Sequence, residues 1–302
     1  VRAYQSGGGD FEVATENLGG NWGVVVASAL LVDYVMTVAV SVSSGVENLG
    51  ALLKFMQPHQ VAVALVVVLL LTLANLRGLK EAGVAFAVPT YLFMFAIISM
   101  ILWGLIRLAA GTDLQAETAH YEIRGDETNV AGFALVFLLL RAFSSGCAAL
   151  TGVEAISNGV PAFKKPKGGN AATTLLMLGV VAMTMFGGVT AFAYITDAKF
   201  AEPDQGSRLI DPATGKEVSD ADPVIAQVAH TVFSNFGLGF ALVTVTTALI
   251  LFLAANTAFN GFPVLGSVLA QNRYLPRQLH TRGDRLAFSN GIIILATMAG
   301  LL

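Results

Sequence analysis

The chain has 302 residues, of which 55% are hydrophobic and 12% are charged, and its formal net charge is -3. A soluble domain normally carries about twice that charged fraction, so the composition predicts a membrane protein. The net charge is small, and the basic residues lie in short clusters between apolar runs and not along one face, which argues against a nucleic-acid partner. Cys147 is the single cysteine, which excludes an intramolecular disulfide and a cysteine-based metal cluster.

Apolar runs long enough to cross a bilayer recur along the chain, because a hydrocarbon core of about 30 Å needs about 20 helical residues. They predict an all-α, polytopic membrane protein. A β-barrel is disfavoured because the runs do not show the alternation of period two that barrel strands need. The chain opens without an initiator methionine or a signal pattern and stops inside an apolar run, so we expect an internal segment of a longer protein. The runs lie at 22–44, 60–76, 82–110, 130–160, 171–196 and 237–259, with a seventh at 291–302.

The basic residues of the short loops predict the orientation of these spans. Cytoplasmic loops carry the excess of Lys and Arg, and here every second connection is basic. The alternate connections, 112–129 and 197–222, are acidic and are expected outside. We expect 197–222 to be loop, followed by a short amphipathic helix at 223–236 on the outer surface. The basic residues of these expected cytoplasmic connections are Arg77, Lys80, Lys164, Lys165, Lys167, Arg273, Arg277, Arg282 and Arg285.

The first span carries polar side chains at helical spacing. Asp33, Tyr34, Thr37, Ser41 and Ser44 recur at steps of three and four, which places their oxygens along one side of a helix. Ionisable groups inside a span are costly and by default mark a site or pathway. The alternative is that the hydroxyls only hydrogen-bond a neighbouring helix or their own backbone.

The fourth span contains glycines and two ionisable residues. Gly146, Gly152 and Gly159, with small hydroxyl residues between them, predict a discontinuous helix in a span that is longer than a bilayer needs. An unwound turn exposes backbone carbonyls and helix ends at mid-membrane, where secondary transporters build their sites. Close helix packing is the alternative role of the glycines. Arg141 and Glu154 are the ionisable residues here.

Several stretches resemble a known family. Residues 145–163, with Thr151-Gly152-Val153-Glu154 at the centre, are similar to the broken sixth helix of the amino acid, polyamine and organocation (APC) transporter superfamily, and most of all to its KimA-type, KUP-like potassium importers. Residues 31–41 resemble their third helix, and 256–266 with 273–277 resemble the end of their eighth helix and the following loop. The resemblance implies part of a LeuT-like inverted-repeat bundle, comprising helices three to eight and the start of nine, with a discontinuous sixth helix.

The resemblance also implies a function, namely proton-coupled potassium import (symport) across the cell membrane. A potassium ion exchanges its water shell for hydroxyl and carbonyl oxygens, and a carboxylate in low dielectric binds and releases a proton near neutral pH. The family's potassium ligands correspond here to Tyr34, Thr37, Ser41 and Thr151. Its proton-coupling carboxylates correspond to Asp33 and Glu154.

Arg141 has a different expected role. It lies about 13 residues from Glu154, or about 20 Å along a continuous helix, so the two cannot pair within one helix. We expect Arg141 to be a structural charge that pairs with Asp33 or with a carboxylate of the family's first two helices, which have no counterpart in this sequence.

The nearest rival function keeps the fold and changes the cargo to an amino acid, whose carboxylate would bind at the freed helix ends. The oxygens of the first span favour a cation. An enzyme is disfavoured because the sequence has no HExxH or GxSxG motif at the end of a span, and we expect no cofactor. The expected partners are the lipid bilayer and, by resemblance, a second copy in a homodimer and a cyclic dinucleotide regulator bound outside this segment.

Overall fold

The computed structural model describes residues 9–78, 83–125, 132–147, 156, 160, 163–201, 207–218, 221–234, 236–279 and 289–302. Long α-helices dominate this part of the chain. Short 3-10 helices cover Lys54–His59 and Arg277–Leu279. The α-helices are α1 (Gly9–Leu18), α2 (Gly20–Leu52), α3 (Gln60–Leu76), α4 (Gly83–Ala109), α5 (Phe133–Cys147), α6 (Lys167–Ile195), α7 (Val224–Val232), α8 (Gly237–Gln271) and α9 (Ser289–Leu301).

Five helical segments of the described chain are long and apolar enough to cross a membrane, and α5 and α9 contribute shorter apolar helices. Many of their large apolar side chains are open to the surroundings, such as Phe133 at 89% and Tyr194 at 88% exposed. A soluble monomer rarely exposes so much contiguous apolar surface. The prediction of a helical, polytopic membrane protein is therefore confirmed. The five segments are Gly20–Leu52, Lys54–Leu76, Phe86–Ala109, Lys167–Ile195 and Gly237–Gln271.

The helix ends match the apolar runs in some places and pass them in others. The bounds of α3 coincide with the run at 60–76, whereas α2 and α8 continue past 44 and 259 to Leu52 and Gln271. Helical hydrogen bonds are local to the backbone, so a helix need not end where its apolar run ends. Within the predicted fourth span, α5 is described and most of the following residues lie outside the described part of the chain.

The described residues fall into two compact units. The first comprises 1–26, 121–186 and 201–219, and the second comprises 27–120, 187–200 and 220–302. In the first unit, α1 packs against the start of α2, where Thr15 lies beside Gly23. The hydropathy pattern assigns no element to α1, although acidic residues in its first turn favour a helix there.

The first unit also contains a small sheet. Strands β1 (Glu122–Gly125) and β2 (Ser207–Ile210) pair antiparallel, with Arg124 opposite Arg208. The guanidinium of Arg208 lies 3.6 Å from the carboxylate of Glu217, which offsets the repulsion between the two arginines. The all-α class still describes the chain, but the expectation of loop throughout 197–222 is wrong. This pairing joins segments far apart in sequence, so local residue patterns do not reveal it.

The core of the second unit lies where α2, α3, α8 and α9 meet. Small and branched apolar residues fill it, and Phe259 and Phe262 of α8 add the largest rings. Gly45 of α2 lets the helices approach closely, because a Cβ there would lie 2.5 Å from Cε1 of Phe252. The buried residues of the core are Val35, Val38, Val42, Val46, Val68, Ala255, Ala258, Phe259, Phe262, Ile292, Leu295 and Ala299.

In the second unit, hydrogen bonds join two connecting segments to helix α7. We call Thr118, Lys199, Asp222 and Gln227 the loop cluster. Gln227 accepts from Thr118 Oγ1 at 2.5 Å and donates from Nε2 to the carbonyls of Asp222 at 2.6 Å and Lys199 at 3.0 Å. The backbone N–H of Lys199 donates to Thr118 Oγ1 at 2.8 Å. These bonds tie the segment before β1 to the ends of the segment that links α6 and α7.

Helix α7 lies within the stretch predicted as a short amphipathic helix. Six of its nine residues are buried, among them Gln227 and Val228. It therefore packs into the second unit and does not lie loosely on a surface. Arg107 of α4 holds its carboxyl end, since Nη1 donates to the carbonyls of Thr231 at 2.8 Å and Val232 at 2.9 Å, where the last helical carbonyls need donors.

Candidate functional site

Helix α2 has a polar side and a buried valine side. Successive helical residues are rotated by about 100°, so Tyr34, Thr37 and Ser41 lie within about 60° of one another around the axis. All three side chains are half-buried. Val38 and Val42, at 0% and 1% exposed, belong to the core. The three hydroxyl residues therefore form an oxygen-bearing strip at the edge of that core.

Asp33 extends this polar side toward the start of α2. It is rotated by about 40° from Thr37 around the helix, and its side chain is exposed in this chain. No ion pair among the described residues involves Asp33. The arrangement places a carboxylate beside a strip of hydroxyls on one helix, as the residue spacing predicts.

The hydroxyls of Thr37 and Ser41 differ from other hydroxyls in these helices. Thr72 Oγ1, for example, donates to the carbonyl of Val68 one turn earlier at 2.7 Å, a common arrangement for Thr in helices. Within the described residues, the hydroxyls of Thr37 and Ser41 make no such bond. The alternative that they only bond their own backbone therefore does not describe these two residues.

Tyr34 packs directly against the backbone of α8 at Gly261. A Cβ built on Gly261 would lie 2.6 Å from Cζ of Tyr34 and 2.7 Å from its hydroxyl oxygen. These distances are well inside van der Waals contact, so the ring occupies the space that a side chain at position 261 would fill. The absence of a side chain at Gly261 lets α8 come this close to the polar side of α2.

The opposite side of α8 is also closely packed at this level. A Cβ built on Gly291 of α9 would lie 2.9 Å from Cβ and 3.0 Å from Cα of Pro263. Residues 261 and 263 are about 200° apart around a helix, which places them on opposite sides of α8. The turn that contacts Tyr34 is therefore also in contact with the backbone of α9.

Two amides join α3 and α8 near the same region. Asn75 Nδ2 donates to Asn256 Oδ1 at 2.8 Å and to the carbonyl of Leu71 at 2.8 Å. The site residues predicted from the sequence include neither amide, and they do not include Gly261. The two amides could have been found from the sequence, because an Asn within an apolar span needs a hydrogen-bond partner in a membrane. Gly261 has no comparable local signal.

Arg141 lies on α5 in the first unit, and its side chain is exposed. None of the ion pairs among the described residues includes it. Its pairing with Asp33 or with another carboxylate stays a prediction.

The predicted break of the fourth span falls largely outside the described residues. Gly146 lies in the last turn of α5. Thr151, Gly152, Glu154 and Gly159 lie outside the described part of the chain, so their roles as ligand, helix break and proton-coupling carboxylate stay predictions.

Taken together, the long apolar helices and the polar, half-buried side of α2 define a class, the helical multi-pass membrane proteins. Residues 2–302 match the model of the family described as amino acid permease. The chain belongs to the amino acid permease family. The resemblance to the APC superfamily is therefore confirmed.

A curated relative is similar over nearly all of this chain. The chain is 42% identical over 295 residues to the potassium transporter KimA of Bacillus subtilis (strain 168), an alignment that covers 98% of this chain and 45% of that relative. The chain thus spans less than half the length of the relative it matches.

Proposed function

We propose that this chain is part of a proton-coupled potassium importer in the cell membrane. The observation that carries the proposal is the strip of half-buried oxygens from Tyr34, Thr37 and Ser41, two of which have hydroxyls that bond nothing else among the described residues. A dehydrating potassium ion needs several neutral oxygens. The similar protein from Bacillus subtilis is named a potassium transporter, which supports the same cargo.

In this proposal the potassium ligands are Tyr34, Thr37 and Ser41 of α2 together with Thr151. Asp33 and Glu154 carry the proton, because a carboxylate near a dehydrated site can exchange one near neutral pH. A break at Gly146, Gly152 and Gly159 supplies backbone carbonyls. Arg141 is a structural charge. No cofactor takes part, since the protein only binds and moves the potassium ion and the proton.

The spans correspond in this proposal to helices three to eight and the start of nine of a LeuT-like inverted repeat, with a discontinuous sixth helix. The functional protein is a homodimer in the bilayer. A cyclic dinucleotide regulates it by binding outside residues 1–302.

An amino acid cargo is the second candidate, and the description of the matching family favours it. The freed helix ends of a broken span would then bind the substrate carboxylate. The hydroxyl strip beside Asp33 supports the cation instead, because a row of oxygens with a carboxylate beside it suits a cation better than an amino acid side chain.

The test is potassium uptake by the intact transporter in cells that lack other potassium importers. Asp33→Asn is expected to abolish proton-driven accumulation while the protein still reaches the membrane, because the amide cannot carry a proton. The matched control is Asp113→Asn, in the exposed connection after α4, which should leave uptake unchanged. Growth that is rescued only by an amino acid, or full uptake by Asp33→Asn, would contradict the proposal.

A further inference from the structure

We infer that Gly261 is a positioning residue for Tyr34: its missing side chain fixes where the Tyr34 hydroxyl meets the transported cation. The inference rests on the proposed function, in which Tyr34 is a cation ligand. It adds a residue on α8 to a site whose other described members lie on α2.

The contact leaves no room for even one additional carbon. A Cβ at position 261 would lie 2.6 Å from Cζ, 2.7 Å from Cε1 and 2.7 Å from the hydroxyl oxygen of Tyr34. Real Cβ atoms essentially never come closer than 3.0 Å to a neighbouring heavy atom. Any side chain at position 261 therefore forces either the ring or one of the two helices to move.

Both helices are held in place. On the far side of α8, Pro263 lies against Gly291, where a Cβ would be 2.9 Å away. Phe259 and Phe262 of α8 are 1% and 6% exposed, and close-packed interiors resist such shifts. Helix α8 therefore cannot simply move away from Tyr34.

The backbone of α2 is held by the same core. Val35 and Val38, which follow Tyr34 in the chain, are 4% and 0% exposed. Tyr34 itself is only half-buried, so its ring is the part with space to move. The expected consequence of a side chain at position 261 is a displaced Tyr34 ring and a displaced ligand oxygen, which weakens cation binding.

The chain offers two matched control glycines. Gly266 lies on the same helix, and a Cβ built there meets nothing within 4 Å. Gly45 has a clash of equal severity, 2.5 Å from Cε1 of Phe252, but that ring carries no oxygen. Gly45→Ala therefore shows the effect of a packing clash that moves no ligand oxygen. Gly266→Ala shows the effect of replacing a helical glycine by alanine without a clash.

The experiment measures the KM and maximal rate of potassium uptake by the intact transporter in proteoliposomes, together with the apparent Tm. Gly261→Ala is expected to raise the KM about tenfold, equivalent to ~1.4 kcal/mol. Gly266→Ala should change neither quantity. Gly45→Ala should lower the Tm and leave the KM within about twofold.

The double variant tests whether Gly261 acts through Tyr34. Tyr34→Phe alone should raise the KM, because the ligand oxygen is removed. In the Tyr34→Phe background, Gly261→Ala should add less than about twofold to the KM. If Gly261→Ala is recovered in low yield, uptake into cells provides the same KM, since KM does not depend on the amount of transporter.

The outcomes separate this inference from the proposed function. An equal rise in KM with and without the Tyr34 hydroxyl overturns the inference. An unchanged KM in Gly261→Ala, with a raised KM in Tyr34→Phe, also overturns it and leaves the proposed function standing. An unchanged KM in Tyr34→Phe removes Tyr34 from the ligands, and the proposed function then fails at this residue.

Discussion

The loop cluster and the polar side of α2 both place oxygen-bearing side chains among buried residues, but they differ in what those oxygens bind. In the loop cluster, Gln227 is 5% exposed and uses both its amide oxygen and its nitrogen on protein partners. On α2, the half-buried hydroxyls of Thr37 and Ser41 bond no described protein group. Satisfied polar groups stabilise a fold, whereas available oxygens can bind a cargo.

The largest effect that this comparison predicts is on stability, at the loop cluster. Gln227→Leu removes the acceptor of the Thr118 hydroxyl proton and the amide that donates to the carbonyls of Lys199 and Asp222. We expect the free energy of unfolding to fall by about 2–4 kcal/mol, measured as a lower apparent Tm in detergent, with the KM for potassium unchanged in the protein that folds.

Gln115→Leu is the matched control, because Gln115 is exposed and, among the described residues, bonds only to nearby Asp113 at 3.0 Å. Its effect should stay within about 0.5 kcal/mol. Equal loss of stability in the two variants would remove the distinction between the loop cluster and ordinary surface amides.

A smaller effect, of a different kind, is expected on α2. Thr37→Val keeps the shape of the side chain and removes a hydroxyl that has no described protein partner. The apparent Tm should stay unchanged, while the KM for potassium rises about tenfold, equivalent to ~1.4 kcal/mol. Uptake kinetics and thermal denaturation on the same preparation measure both.

Thr72→Val provides the comparison for Thr37→Val, since the Thr72 hydroxyl bonds its own helix. This variant should leave the KM unchanged. A Tm loss in Thr37→Val without a change in KM would place Thr37 among the structural hydroxyls.

The smallest effect is expected at the exposed edge of the loop cluster. Lys54 Nζ lies 2.8 Å from Asp222 Oδ1, with the two side chains 59% and 23% exposed. Such pairs contribute about 0.2–1 kcal/mol, and salt weakens them. A double-mutant cycle of Lys54→Met and Asp222→Asn should give a coupling energy in this range that declines at high salt. A larger, salt-independent coupling would mean that the pair is shielded from solvent.

Features that depend on residues close together in the sequence could be predicted, and features that depend on residues far apart could not. Helix α3 has its predicted bounds because apolar residues and helical hydrogen bonds act over neighbouring positions. The strip of Tyr34, Thr37 and Ser41 could be predicted for the same reason, since helical rotation alone places them on one side. The pairing of β1 with β2 could not, because it joins two separate connections.

The sequence by itself determined that this protein crosses a membrane with many helices, that α2 has a polar side, and which transporter family it belongs to. Only the tertiary structure decided that Gly261 receives the Tyr34 ring, and that the Gln227 amide is bonded while the hydroxyls of Thr37 and Ser41 bond no described protein group. The physical reason is that hydropathy and helical spacing are local properties of the chain, whereas close packing and hydrogen-bond saturation depend on which distant residues meet.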